Sequence, residues 1–172
     1  MKRILTIVCI LFATVISLQA QSLLGKWKGS TEIDEDGDTI TTYYIFKLNN
    51  KVEMKMLLNS KDDEIGIITM SFTMPGTFSR NGQTLNIQFE ANKSKCKLEN
   101  VVFTAQMEKE FEEMPEMKKM ILEMIKKSID NEMAKQFANE SLFDGEVAIV
   151  QLSATKLVLS DGDDTLSFTR FR

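Results

Sequence analysis

The stretch "ITMSFTMPGTF", residues 68–78, decides the fold. Its large apolar side chains fall on every second residue, and small polar side chains fill most of the positions between them. A repeat of two residues is typical of a strand with one buried and one solvated face, as in an antiparallel sheet. The apolar positions are Ile68, Met70, Phe72, Met74 and Phe78.

The same alternation extends outward from this stretch in both directions. It recurs in residues 27–33, 40–48 and 52–58 before the stretch, and in residues 85–91 and 95–98 after it. Turn residues separate these runs. Asn81-Gly82 is the clearest turn signal, because both residues tolerate the positive φ angles of a two-residue hairpin. Short strands joined by hairpins predict a sandwich or an up-and-down barrel.

The pattern changes in residues 108–140. Apolar residues there recur every three or four positions with Lys and Glu between them, which indicates an amphipathic helix. Pro115 suits a first helical turn, so we expect a short helix or turn and then a longer helix over about residues 115–138. Strand patterns resume at residues 147–152, 157–159 and 165–171.

The fold predicted from these runs is mainly β. It is an antiparallel up-and-down β-barrel of about 8–10 strands, with an amphipathic helical insertion before the last strands. Nine strand-like runs are counted, whereas an antiparallel barrel that closes its first strand on its last needs an even number. One run must therefore be misjudged, or the barrel is incomplete.

Trp27 is the only tryptophan, and it heads the first strand in the context Gly25-x-Trp27. In the last strand Arg170 shares a face with Leu166 and Phe168, which makes it an inward-pointing charge that needs partners. A guanidinium stacked on the indole and donating to backbone carbonyls would satisfy it. First and last strands are neighbours in a closed barrel, so this contact is geometrically natural.

With these features the chain resembles the lipocalin-like (calycin) superfamily, and in particular small secreted bacterial lipocalin-like domains with a helical insertion. The resemblance covers residues 22–172 and rests on Gly25-x-Trp27, Arg170, and the meander between them. It implies that Trp27 and Arg170 are structural. The long insertion and the absence of disulfides depart from the family pattern.

The N-terminus reads as a secretory signal. Lys2 and Arg3 precede an apolar run over residues 4–16, and small residues follow near Ala20. We expect cleavage after about residue 20, leaving residues 21–172 as one exported domain, whether periplasmic, cell-surface or secreted. The alternative is an uncleaved N-terminal anchor, although the run is shorter than the roughly 20 residues that span a bilayer.

Composition narrows the function. The net charge is −4, which argues against a nucleic-acid partner. The chain has no histidine, so it lacks the commonest general base and the commonest zinc ligand. We therefore expect a non-enzymatic protein with no metal and no cofactor. Cys96, the only cysteine outside the signal, is expected to be a buried apolar residue.

The expected function is the binding of a small hydrophobic ligand, such as a lipid or fatty acid, in the barrel or under the Met-rich helix. The alternative is a protein-interaction or cell-envelope structural module with a filled barrel, which uses the Met-rich helix face; that face could also meet a membrane surface. The oligomeric state is left open. The candidate ligand-binding residues are Tyr44, Phe46, Met54, Met56, Met70, Phe72, Phe89, Met117 and Met124.

Asp34, Asp36 and Asp38 have the spacing of the first ligands of a calcium loop. The glycine and the final acidic ligand of such a loop are not at their required positions. We therefore expect these residues, and those of the acidic turn at 161–164, to serve exposed hairpins.

Overall fold

Nine strands and two α-helices make up the described part of the chain. The computed structural model describes residues 23–33, 37–129 and 144–171. A short 3₁₀ turn, Ala91–Lys93, lies between the fifth and sixth strands. The strands are β1 (Gly25–Ile33), β2 (Thr39–Lys47), β3 (Lys51–Asp62), β4 (Gly66–Asn81), β5 (Thr84–Phe89), β6 (Lys95–Phe103), β7 (Gly145–Leu152), β8 (Lys156–Ser160) and β9 (Thr165–Phe171); the helices are α1 (Ala105–Glu113) and α2 (Pro115–Ser128).

Eight of these strands close into a ring. Each pairs with its neighbours in the order β1-β2-β3-β4-β5-β7-β8-β9, and β9 pairs back onto β1, all antiparallel. The predicted up-and-down barrel with a helical insertion before its last strands is therefore confirmed. The ninth strand, β6, pairs with β4 and lies outside the ring. This accounts for the odd number of strand-like runs.

The strand β6 continues the course of β5 along β4. β5 pairs with residues 76–81 of β4, and β6 pairs in the same direction with residues 66–73. Together β5 and β6 cover most of β4, and the 3₁₀ turn interrupts this pairing beside Pro75 and Gly76. The Glu90 amide, just before the turn, donates to the Pro75 carbonyl at 2.8 Å. Beyond the interruption, β3, β4 and β6 form a three-stranded sheet, here called the extension.

Buried side chains occupy the interior of the ring. One contiguous cluster of buried residues spans it, including Trp27, Tyr44 and Phe168, each at most 1% exposed. An eight-stranded barrel has an interior just wide enough for its own side chains or one small ligand. Five of the residues expected to bind a ligand belong to this packed cluster: Tyr44, Phe46, Met54, Met56 and Phe72.

The predicted Trp27–Arg170 contact is present. The two residues are opposite each other across β1 and β9, and the guanidinium carbon lies 4.4 Å from the indole ring centroid. Trp27 Nε1 donates to the Leu23 carbonyl at 2.7 Å, and Arg170 Nη1 donates to the Leu24 carbonyl at 3.0 Å. This arrangement seals the end of the barrel at which β1 begins, here called the Trp27 end.

The helical insertion packs on the extension. Thr104 caps α1 by accepting from the Met107 amide, while its own amide donates to the Ile65 carbonyl in the β3–β4 turn at 3.0 Å. The Phe111 ring of α1 contacts the Phe103 ring of β6 edge to face, with the ring centroids 4.8 Å apart. Neither helix, nor any other among the described residues, is long and apolar enough to cross a membrane.

The two-helix form of the insertion agrees with the sequence pattern in part. Pro115 lies in the first turn of α2, as expected, and α1 takes the place of the short helix or turn. α2 is described to Ser128. The predicted continuation to residue 138 lies outside the described residues.

The expectation that Cys96 is buried is wrong. Its side chain is of intermediate exposure rather than buried. The reason is the position of β6: a strand beside the ring, and not part of it, is covered less completely than the strands around the core.

Tyr44 gives the barrel a predicted sensitivity to alkali. Burial raises the pKa of its phenol well above the usual value, and the charge of Asp144 raises it further. A group whose pKa is raised on folding stabilises the fold below its unfolded pKa, about 10 for tyrosine, and loses that contribution above it. The free energy of unfolding should therefore fall by an additional amount of up to about 1.4 kcal/mol per pH unit above pH 10.

Urea unfolding between pH 9 and pH 11.5 measures this slope. Tyr44→Phe should remove the additional slope, whereas Tyr43→Phe, on the outer face, keeps Tyr44 and should retain it. Equal slopes in Tyr44→Phe and the unmodified protein would show that the Tyr44 phenol does not govern alkaline stability.

Candidate functional site

An apolar cleft lies between α2 and the extension, under the predicted Met-rich helix. Its volume is about 470 Å³. We call it the helix cleft. Its lining residues are Ser60, Ile65, Ile68, Met70, Met107, Ile121, Met124, Ile125, Ser128 and Ile129.

The sheet side of the helix cleft continues the inner face of the barrel. Met70 and Ile68 lie on β4, two and four residues before Phe72 of the core. Across from them on β3 are Leu58 and Ser60, respectively. Because side chains of a strand alternate between faces, these residues point to the same side as Phe72. β6 takes over from β5 beside this part of β4, so the inner face there lies beyond the closed ring.

The helix side of the cleft comes from one face of α2. Four lining residues of α2 occupy the i, i+3, i+4 and i+7 positions, which share one side of an α-helix. They are Ile121, Met124, Ile125 and Ser128. Ile125 and Ile121 are half-buried, and Met124 is 52% exposed. α2 therefore covers the cleft without closing it.

The chemistry of the helix cleft is apolar. Its only polar side chains are Ser60 and Ser128, and the Ser128 hydroxyl donates to the Met124 carbonyl within its own helix at 3.1 Å. No charged side chain is among its lining residues. Such a surface favours a hydrocarbon chain or ring, and it offers little directional bonding to a polar head group.

The structure brings together few of the sequence-predicted ligand residues. Of the nine, Met70 and Met124 line the helix cleft. Phe89 is partly buried and packs against the barrel core. Met117 belongs instead to a second apolar patch at the start of α2, here called the methionine patch, with Met114, Pro115, Glu116 and Met120.

Several cleft residues were absent from the predicted site: Ser60, Ile65, Met107, Ile121 and Ile125. Ile121 and Ile125 carried a usable signal, because they belong to the same helical stripe as Met124. Ser60 and Ile65 carried none, since their position depends on how far β3 and β4 extend beyond the ring.

A separate polar cluster lies on the outer face of the extension. The Ser71 hydroxyl donates to Glu99 at 2.6 Å, and Lys97 donates to the other carboxylate oxygen at 2.9 Å. These hydrogen bonds, with that from Ser71 the larger cause, lower the pKa of Glu99. The cluster fastens β6 to β4 at the bulge between Thr69 and Met70.

The acidic turn at residues 161–164 uses its own carboxylate. Asp161 Oδ1 accepts from the amides of Asp163 at 3.1 Å and Asp164 at 2.9 Å, as expected of an exposed hairpin. Within residues 23–33, 37–129 and 144–171, no three acidic, cysteine or histidine side chains form a group that could hold a metal ion. Asp34 and Asp36 lie outside the described residues.

No protein-family model matches the chain, and no curated protein is significantly similar to it. The function must therefore be inferred from the barrel, the helix cleft and the surface charge.

Proposed function

We propose that the protein is an exported, non-catalytic member of the lipocalin-like superfamily that binds a small hydrophobic ligand in the helix cleft. The membership is supported by a closed eight-stranded meander and by the Trp27–Arg170 pair at its sealed end. The export is supported by the signal-like pattern in residues 1–20. Those residues lie outside the described part of the chain.

The observation that carries the ligand proposal is the helix cleft itself. Its volume of about 470 Å³ falls in the range of small-molecule sites, and its lining is almost wholly apolar. In this proposal the ligand lies under α2 rather than inside the ring, because buried side chains occupy the interior of the ring. The two serine hydroxyls lie among aliphatic groups, so the ligand class is an acyl chain or similar hydrocarbon.

The helix offers a matched pair of variants to test this proposal. Met124 and Met120 are both on α2 and are 52% and 56% exposed, but only Met124 lines the helix cleft. In Met124→Lys an ammonium group must be desolvated for an apolar ligand to enter, so affinity should fall about tenfold or more. Met120→Lys makes the same change of charge and should leave affinity unchanged.

Fluorescence titration with N-phenyl-1-naphthylamine, and calorimetric titration with palmitate, measure these affinities. Native mass spectrometry of the exported protein should also show a co-purified lipid-sized mass. Failure of the unmodified protein to take up either probe would contradict the proposal. Equal losses in the two variants would show that the effect on affinity does not come from the helix cleft, and would also contradict the proposal.

The methionine patch supports a second candidate function. Met114 and Met120 are 51% and 56% exposed, and they flank the half-buried Met117 at the start of α2. Flexible, polarizable methionines suit a surface that adapts to an apolar partner. An interaction module would lose its partner in Met120→Lys while retaining it in Met124→Lys, the reverse of the pattern expected for a ligand in the helix cleft.

A further inference from the structure

The two ends of the barrel differ sharply in charge. At the Trp27 end the connecting turns are residues 48–50, 82–83 and 153–155, and none of these eight residues is acidic. At the opposite end the connecting turns are residues 34–38, 63–65 and 161–164. The described residues of those turns include six acidic side chains: Asp38, Asp63, Glu64, Asp161, Asp163 and Asp164.

Lysines surround the Trp27 end on its outer face. Lys26 and Lys28 lie near the start of β1, Lys47 and Lys51 flank the β2–β3 turn, and Lys156 begins β8. One row of paired residues crosses the sheet from β8 to β2. In order, it contains Lys156, Thr169, Lys28 and Tyr43. Two acidic residues lie beside these lysines. Lys47 binds Glu53 at 2.6 Å, and Glu90, which pairs with Lys93 at 2.7 Å, is also close enough to interact with the charge of Lys51. This end therefore carries a net positive charge on a net negative chain.

Two apolar side chains project among these lysines. Leu48 is 73% exposed beside the two-residue turn Asn49-Asn50, whose φ angles are 60° and 57°. Phe171 is 49% exposed and contacts Tyr43 edge to face at 5.9 Å. Exposed leucine and aromatic side chains with flanking lysines are typical of proteins that rest on a bilayer interface.

We propose that the Trp27 end of the barrel docks on an anionic lipid membrane surface. The lysines meet the negative head groups, and Leu48 and Phe171 enter the interfacial region. A projecting leucine at a hairpin tip gains free energy from a hydrocarbon phase, whereas a soluble anionic polymer offers it no such partner.

This docking is independent of the helix cleft. The cleft lies by the extension and α2, toward the opposite end, so the docked barrel leaves it open to solvent. It also differs from membrane contact through the Met-rich helix, which uses another surface. Variants at each place can therefore be compared directly.

Vesicle flotation of the exported protein tests the charge. Vesicles of phosphatidylcholine with 30% phosphatidylglycerol should bind it, and vesicles of phosphatidylcholine alone should bind it at least tenfold less. The double variant Lys26→Gln with Lys51→Gln should reduce partitioning about 25-fold, because each lysine near an anionic surface contributes about a fivefold factor. Lys119→Gln with Lys127→Gln, on α2, changes the net charge equally and should have no effect.

The apolar contact has its own matched pair. Leu48 and Ile33 are 73% and 71% exposed, at opposite ends of the barrel. Leu48→Ser should reduce partitioning about fivefold, from the loss of an inserted side chain, while Ile33→Ser should not change it. Both sites are exposed, so far-ultraviolet circular dichroism and thermal midpoints should show intact folds in both variants.

Four results with vesicles would overturn the proposal. They are equal binding to neutral and anionic vesicles, equal losses in the two lysine double variants, equal losses in Leu48→Ser and Ile33→Ser, and loss in Met120→Ser without loss in Leu48→Ser. Soluble polyglutamate that is bound as well as the anionic vesicles, with the same dependence on Lys26 and Lys51, would identify a polymer as the partner and would also overturn it.

Discussion

Replacing Trp27 with alanine is expected to lower the free energy of unfolding by about 3–5 kcal/mol. The indole is fully buried, and its removal leaves a cavity at the sealed end. The change also leaves the Leu23 carbonyl without the indole donor and takes the ring away from the Arg170 guanidinium. Urea unfolding followed by far-ultraviolet circular dichroism measures the loss without relying on tryptophan fluorescence.

Trp27→Phe separates the structural role from ligand binding. Phenylalanine retains most of the buried volume but loses the hydrogen bond, so a smaller loss of about 1–3 kcal/mol is expected. Affinity for palmitate should be unchanged, because the helix cleft lies away from the sealed end. A well-folded Trp27→Phe protein that no longer binds the ligand would show that Trp27 belongs to the binding site.

Gly66→Ala is expected to destabilise the protein by about 3 kcal/mol or more, through backbone strain and steric overlap. Gly66 has a φ of 122°, and a Cβ atom built there would lie 2.1 Å from the Val102 carbonyl oxygen and 3.0 Å from the Thr104 amide. These atoms are backbone and cannot rotate away. The substitution should therefore separate β4 from β6 and disturb the start of α1.

Gly82→Ala is the matched control. Gly82 also has a positive φ, 60°, but no atom lies within 4 Å of the position its Cβ would take. Its expected loss is about 1–2 kcal/mol, the cost of the left-handed conformation alone. Equal losses in the two variants, measured by urea unfolding, would show that the contact with β6 contributes nothing.

The barrel could be predicted from the sequence because the strand pattern and the pairing of the first strand with the last both indicate the same fold. The alternation of apolar and polar residues predicted the strands. Trp27 and Arg170 both occupy inward-facing positions, so the pairing of the first strand with the last brings them opposite each other. The role of β6 could not be predicted in this way. Its alternation resembles that of the ring strands, and its place depends on which part of β4 it meets.

The candidate site was predicted less well, for a physical reason. Tyr44 and Met54 do face the barrel interior, but whether such residues fill it or line a cavity depends on packing, which periodicity does not record. The basic end was hidden for a different reason. Lys26, Lys51 and Lys156 are far apart in the chain and form no run, and only the sheet brings them to one end.

The pairing of the first strand with the last also sets the order of events during folding. β9 is synthesised after the other eight strands, so the ring cannot close, and Trp27 cannot meet Arg170, until all of them are available. Contacts between such distant residues are slow to form. Until β9 pairs with β1, the indole lacks its Arg170 partner, so the change in indole fluorescence on burial is expected to report ring closure.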